Sequence, residues 1–341
     1  MAAELSIEDI LVGHSSDRTG LTGCTVVLAP GGAVASVDIR GGAPGTLETP
    51  LLSPYSSVQE LHGIMLTGGS APGLAAAAGV TAFLQEHHFG YQTPFAKIPL
   101  VSAAVIYDLG LGSPVACPKA ADAYEAAKAA TSTVEEGSVG AGTGATVGKL
   151  LNFQGMMKGG VGFASVQIGG GVTVAALTVV NALGDVMDEH GEILAGARRD
   201  GRFVGSKESL LAMASAPVFG GIENTTLAVV LTDATLDKLQ CGIVSRMAHD
   251  GFARAIDPVH TPRDGDCVFA MATGRKPGNV FQVGVAAADA VAASIRRAVR
   301  AAESLGGALS VSDLPVTQRS GGAAEGGSAD RATPSDGTVG L

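Results

Sequence analysis

The sequence predicts an α/β (α+β) fold in which helix layers cover a double sheet. Three observations lead there: apolar β-branched runs come in pairs, Ala-rich helical segments separate the pairs, and few runs form strict strand–helix–strand crossovers. Composition agrees. Of 341 residues, 46% are hydrophobic and 16% charged, with 49 Gly and no Trp, which suits tight turns and small-residue helices lying close on a sheet.

Residues 24–29 and 33–39 read as two strands joined by Pro30-Gly31-Gly32, a hairpin signal. A Gly- and Pro-rich loop follows over 40–46. Residues 64–67 read as a strand, and Gly68-Gly69-Ser70 leads into an Ala-rich helix over about 72–86, with Pro72 in the first turn, where a helix tolerates it. Residues 100–107 form a strand and 119–130 a helix. A Gly-rich loop over 135–148 ends at Lys149. Beyond it, 159–170 and 171–181 read as successive antiparallel strands, 206–215 as a short helix and 216–224 as a linker.

A strand–helix–strand–helix series then occupies 226–232, 234–252, 267–273 and 283–305. In the first of these helices Leu236, Leu239, Ile243, Met247 and Gly251 share a face, with Asp233 or Thr235 available as the cap. No solenoid-type repeat is present. The tail over 317–341 has almost nothing apolar to bury and is expected to be disordered, leaving 1–316 as a single domain.

The net charge of −10 and the lack of a basic run argue against nucleic acid or an anionic membrane surface as the main partner. Cys24, Cys117, Cys241 and Cys267 have no CxxC or metal-type spacing and read as buried free thiols, consistent with a reducing cytoplasm. The first nine residues are acidic where a signal peptide is basic, and the longest apolar stretch, 171–183, is too short to span a bilayer and contains Asn181. A soluble, cytoplasmic protein is expected.

Several motifs fail on context. Gly140-Ala141-Gly142-Thr143-Gly144-Ala145 matches a dinucleotide fingerprint but follows no buried strand, and Gly148-Lys149 lacks the Ser or Thr of a phosphate loop, having Leu150 instead. Gly68-Gly69-Ser70-Ala71-Pro72 has Pro where a nucleophile elbow needs Gly. His87 and His88 are adjacent, His249 and His260 isolated, and none has zinc-ligand spacing. Asp264-Gly265-Asp266 lacks the rest of a calcium loop. No metal and no cofactor is expected.

One stretch stands apart. Gly220-Gly221-Ile222-Glu223-Asn224 runs into the strand block Thr225-Thr226-Leu227-Ala228-Val229-Val230-Leu231. By itself this is a turn before a β-branched strand start. If the chain broke between Asn224 and Thr225, however, Thr225 would carry a nucleophilic hydroxyl and a free α-amine. Such an amine has a pKa of roughly 7.7–8.0 and serves as a built-in base near neutral pH.

Ordered blocks over about residues 7–300 strengthen that reading: Val12-Gly13-His14, Val37-Asp38-Ile39-Arg40-Gly41-Gly42-Ala43-Pro44-Gly45, Leu66-Thr67-Gly68-Gly69-Ser70-Ala71-Pro72-Gly73, Ala104-Val105-Ile106-Tyr107-Asp108, Val179-Val180-Asn181-Ala182-Leu183-Gly184, Asn224-Thr225-Thr226 and His260-Thr261-Pro262-Arg263-Asp264-Gly265-Asp266. With them the chain resembles the L-aminopeptidase/D-amidase-esterase (DmpA-like) family of self-processing N-terminal-nucleophile hydrolases, which includes β-aminopeptidases and the nylon-oligomer hydrolase.

The resemblance implies a four-layer αββα sandwich of the type shared with ornithine acetyltransferase. It also implies self-cleavage between Asn224 and Thr225 into an α fragment (1–224) and a β fragment (225–316 plus tail). These fragments would stay associated and assemble into a homo-oligomer. Thr225 is the implied nucleophile, Asn181 the oxyanion-side amide, Lys149 the cation near the nucleophile and Tyr107 a site-lining tyrosine. Asp264 and Asp266 are the implied carboxylates that orient the threonine. The classical aminopeptidases of the family cut at Gly-Ser, and the Asn-Thr junction here matches the nylon-oligomer hydrolase instead.

The expected activity is hydrolysis of small peptides or ω-amino-acid amides through an acyl-enzyme on Thr225. Two alternatives stand beside it: endo-hydrolysis of 6-aminohexanoate oligomers, and an uncleaved, inactive scaffold or binding protein with the same fold.

Overall fold

The computed structural model describes residues 2–213 and 224–315. Most of the expected linker, with Gly220 and Gly221, and the 317–341 tail lie outside the described residues. The main elements are β1 (Leu11–Asp17), β2 (Thr22–Ile39), β3 (Glu60–Thr67), α1 (Ala77–Glu86), β4 (Val101–Val105), α2 (Ala120–Lys128), β5 (Gly160–Gln167), β6 (Thr173–Asn181), β7 (Thr225–Thr235), α3 (Lys238–Ala255), β8 (Cys267–Pro277) and α4 (Val280–Ala301).

One hydrogen-bonded sheet runs in the order β5-β6-β7-β8-β2-β3-β4, with a short edge strand Thr46–Leu47 beyond β4 and β1 beside β2. Only β7–β8 and β3–β4 are parallel, and each of these pairs is joined across a helix, α3 and α1 respectively. The sheet folds back on itself, because its side chains sort into three apolar layers by strand parity. Leu227, Val229 and Leu231 of β7 meet Ala33, Ala35, Leu61 and Ile64 between the two halves. Their neighbours Ala228 and Val230 face Val244, Phe252, Val291 and Ile295 of α3 and α4. On the far side Val26, Leu28, Met65 and Ala103 pack on Val80, Leu84, Ala123 and Ala126. The stack is therefore helix, sheet, sheet, helix, as expected from the sequence.

Two details depart from the sequence expectation. Pro30-Gly31-Gly32 does not turn a hairpin: residues 22–39 are a single strand. Leu28 pairs with Gly63 and Ala33 with Leu61, so five steps of β2 oppose two of β3. The Pro-Gly-Gly segment is a bulge, with Gly32 at φ +82°, that bends β2 from one layer into the other. In α3, the cap is Asp237, whose side chain accepts from Gln240 N while Gln240 reaches back. The buried face carries Cys241, Val244, Ser245, Ala248, His249 and Phe252, and Leu239 is exposed: the helix turns to the core the stripe next to the expected one.

Cys24, Cys241 and Cys267 are buried free thiols and Cys117 is half-buried. No helix among the described residues is long and apolar enough to cross a membrane.

Candidate active site

Strand pairing builds the centre of the site. Thr225 opens β7 directly opposite Asn181, the last residue of β6. Both are odd-numbered positions on strands whose odd residues face the space between the half-sheets, so both side chains project there from the sandwich edge. Both are buried.

In the uncleaved chain the Thr225 hydroxyl donates to the Asn224 carbonyl oxygen at 2.5 Å. That oxygen also accepts the Gly265 N–H at 2.8 Å, and the Asn224 N–H donates to the Arg263 carbonyl at 3.0 Å. The peptide expected to break is thus clamped against the turn before β8. Only glycine fits at 265: an added Cβ would lie 2.7 Å from Thr225 Oγ1 and 2.7 Å from the Ala43 carbonyl.

Asn181 is fixed by three bonds that settle its orientation. Its Oδ1 accepts from Lys149 Nζ at 2.7 Å and from Thr146 N at 3.1 Å, while Nδ2 donates to the Tyr107 carbonyl at 3.0 Å. Two obligate donors on one atom identify that atom as oxygen. One of its two N–H groups is therefore held by Tyr107. Lys149 Nζ also donates to the Asn181 carbonyl at 2.9 Å. The loop delivering Lys149 bends at Gly148 (φ +67°), where an added Cβ would meet Gly196 and Ala197 backbone at 2.1 Å.

Burial lowers the Lys149 ammonium to about 7, against the opposing pull of Asp264 and Asp108. Asp264 is raised to about 6, first by burial and then by the charge of Asp266, while hydrogen bonds from Thr261 and the charge of Lys149 oppose the rise. A buried amine and a buried acid that both change charge near neutrality suit proton-transfer chemistry.

The two carboxylates, expected to orient the threonine, bond to the backbone on either side of it. Asp264 accepts the Thr261 N–H at 2.7 Å, and its backbone runs beside Asn224. Asp266 accepts the Thr226 N–H at 2.7 Å, one residue past Thr225. Tyr107 contributes its backbone carbonyl to Asn181. All seven residues read from the sequence (Tyr107, Lys149, Asn181, Asn224, Thr225, Asp264, Asp266) thus converge on one edge of the sandwich.

Some neighbours were not anticipated. His249 and His260, far from isolated, lie 3.2 Å apart, with His260 Nδ1 2.8 Å from Asp266 Oδ2. The available signal was a histidine on the buried stripe of α3 and a second one in the turn following it. Lys158 is fully buried and donates to the carbonyls of Gly142, Thr143 and Ala145 at 3.3, 2.8 and 2.8 Å, tying down the loop before Lys149. Asp108, next in the chain to Tyr107, accepts from Thr22 Oγ1 and Gly69 N at 2.8 and 2.7 Å. Among the described residues no three His, Cys, Asp or Glu side chains form a group able to hold a metal ion.

Comparison with known proteins gives the family and the fold. The model of peptidase family S58 matches residues 5–311. An uncharacterised aminopeptidase of Mycobacterium bovis is 41% identical over 314 residues, covering 86% of this chain and 89% of its own length. A 6-aminohexanoate-oligomer endohydrolase of Kocuria sp. is 34% identical over 272 residues, covering 77% and 73%. Among solved structures, the l-aminopeptidase d-ala-esterase/amidase of Ochrobactrum anthropi, described as a variant of the ntn hydrolase fold, superposes with a TM-score of 0.70 at 21% identity over 89% of this chain and 87% of that one. A beta-aminopeptidase of Burkholderia sp. gives 0.67 at 23% identity over 89% and 88%. The fold here is that Ntn hydrolase fold.

Proposed function

The chain belongs to peptidase family S58, and from that premise we propose that it is a self-processing N-terminal-nucleophile amidase of the aminopeptidase type. The observation that carries the proposal is the Thr225 hydroxyl lying on the Asn224 carbonyl, whose oxygen accepts the Gly265 N–H at 2.8 Å.

In self-processing, Thr225 Oγ1 bonds to the Asn224 carbonyl carbon and the C–N bond of that peptide breaks. The hydroxyl proton moves to the departing nitrogen. Water then opens the resulting ester, leaving an Asn224 carboxylate and a free Thr225 amine. The Gly265 N–H faces the oxygen on which negative charge develops, the arrangement that lowers such barriers.

In the mature enzyme the same hydroxyl attacks a substrate amide, with the Thr225 amine taking its proton. The N–H of Asn181 not held by Tyr107, together with Gly265, serves the tetrahedral oxygen. Lys149, as an ammonium, disfavours protonation of the amine and stabilises the negative charge. The substrates are small peptides or amides with a free amino end, and the fragments remain paired within a homo-oligomer.

A second reading, endo-cleavage of 6-aminohexanoate oligomers, is favoured by the 34% identical Kocuria sp. relative. Assays on L- and β-amino-acid p-nitroanilides beside a linear 6-aminohexanoate oligomer separate the two. The deciding test of self-processing is an intact mass spectrum. Wild type should give two fragments, one beginning at Thr225. Thr225→Ala should remain one 33.8 kDa chain, and its full cleavage would mean an outside protease makes the cut.

A further inference from the structure

Behind Asp266 a line of polar groups leads away from Thr225. Asp266 Oδ2 lies 2.8 Å from His260 Nδ1, His260 Nε2 lies 3.2 Å from His249 Nδ1, and His249 Nε2 lies 3.1 Å from the Asp38 carbonyl oxygen. Nothing in the proposed reaction uses either histidine. We propose that His260 and His249 are positioning residues, forming a hydrogen-bonded wire that holds one proton more than two neutral imidazoles carry and so places an imidazolium against Asp266.

The number of hydrogens along the wire requires the extra proton. Both ends of the wire only accept, one as a carboxylate and the other as a backbone carbonyl. Three gaps separate the four groups, so three hydrogens are needed, and two neutral imidazoles bring two. With two, one of the three gaps is left lone pair against lone pair: His260 Nδ1 at Asp266, His260 Nε2 at His249 Nδ1, or His249 Nε2 at Asp38, inside a structure where unpaired polar atoms are costly. A third proton fills every gap. His260 then donates from both nitrogens, to Asp266 and to His249 Nδ1, and His249 donates from Nε2 to Asp38.

Placement of the charge follows from burial. The His249 ring is fully buried and lowered to about 4 by burial, against the opposing pull of the Asp38 carbonyl. His260 keeps 19% of its side chain exposed and lies beside the carboxylate. The extra proton therefore resides on His260.

His260 is also held in the left-handed region (φ +55°), with its own N–H 3.2 Å from Asp266 Oδ2. The other charges around the pair are Asp38 and Arg40 from β2, the Arg40 Nε being 2.8 Å from Asp38 Oδ2. Asp264 and Lys149 face Asp266 from the site. Because Asp266 Oδ1 grips Thr226 N, the wire fixes both the direction and the charge of a carboxylate one residue from the nucleophile.

Two measurements test this. The first, on histidine-15N-labelled protein at pH 7, reads the protonation of each ring, with signals assigned by their loss in His260→Asn and His249→Phe. Asn tolerates the left-handed backbone, and its amide replaces the Nδ1–H toward Asp266 while ending short of His249. The expected result is one imidazole, missing from the His260→Asn spectrum, with both nitrogens protonated in wild type and neutral in His249→Phe. Two neutral rings in wild type would overturn the proposal.

The second is the pH profile of hydrolysis, which rests on the proposed reaction. In His260→Asn the uncompensated Asp266 charge raises the Thr225 amine and Lys149 together, moving both limbs up by about 1 pH unit. Unmoved limbs would overturn the influence on Thr225. Absence of hydrolysis in wild type would refute the reaction instead, and the spectra decide the wire in that case too.

Discussion

Residue 265 leaves no room for a side chain. Gly265→Ala would press a methyl group against Thr225 Oγ1 and the Ala43 carbonyl, both 2.7 Å from the added carbon. Self-cleavage should slow by at least about tenfold, the scale set by roughly 1.4 kcal/mol of barrier. The fraction of uncut chain on a denaturing gel over time measures it, and unchanged cleavage would show that the clamp on Asn224 is irrelevant.

Lys149 supplies the pH sign. In the proposed reaction its charge stabilises the transition state, and burial lowers it to about 7, so the charge is present below that pH and lost above it. Turnover should fall along an alkaline limb near pH 7. Lys149→Met should remove the limb together with roughly 10²-fold of the rate, the usual effect of deleting one electrostatic stabiliser. Thr225, Asn181 and Lys149 were legible only through the resemblance, since a loop Asn and a Lys after glycines have bland readings. The pairing of His249 with His260 had only a weak signal, one histidine on the buried stripe of α3 and another in the turn after it. It depends on how the end of α3 folds back, which residue spacing does not encode.

Elements were legible where periodicity is strong. The paired strands 160–167 and 173–181 and both long helices fall close to their expected places. The misread segment was Pro30-Gly31-Gly32, because a local turn signal has the same letters as a wide bulge, and only long-range pairing with β3 and β8 tells them apart. The cap of α3 was misplaced because three acceptors, Asp233, Thr235 and Asp237, stand close together. A measurable consequence is that Asp237→Ala should cost about 1 kcal/mol, lowering the melting temperature by roughly 1–2 °C in a chain of this size. Asp233→Ala should act otherwise than as a cap loss, since Asp233 instead accepts the Thr173 N–H at 2.8 Å and pairs with Lys276. Equal helix-end effects from both would contradict the Asp237 assignment.

For the molecule as a whole, helix layers on a double sheet were legible because the three apolar layers follow alternation along each strand. What alternation cannot convey is that the halves are one continuous sheet passing through β2. Deletion of the polar tail beyond 316 should leave turnover and melting unchanged, and a large loss in either would give the tail a structural role.

Position of β7 in the sheet bears on how the protein ages. The strand lies between β6 and β8 and its first residue is the one that the proposed self-cleavage would free, so the new chain end would belong to the middle plank of the sandwich rather than to an edge. Native sizing should give a single species that a denaturing gel resolves into two. Once melted, that species has to be rebuilt from two solutes, whereas Thr225→Ala refolds as one. Recovery of wild type after heating should therefore weaken on dilution and that of the variant should not. Maturation by the proposed route is a ratchet: a molecule once switched on can assemble a second time only by finding a partner.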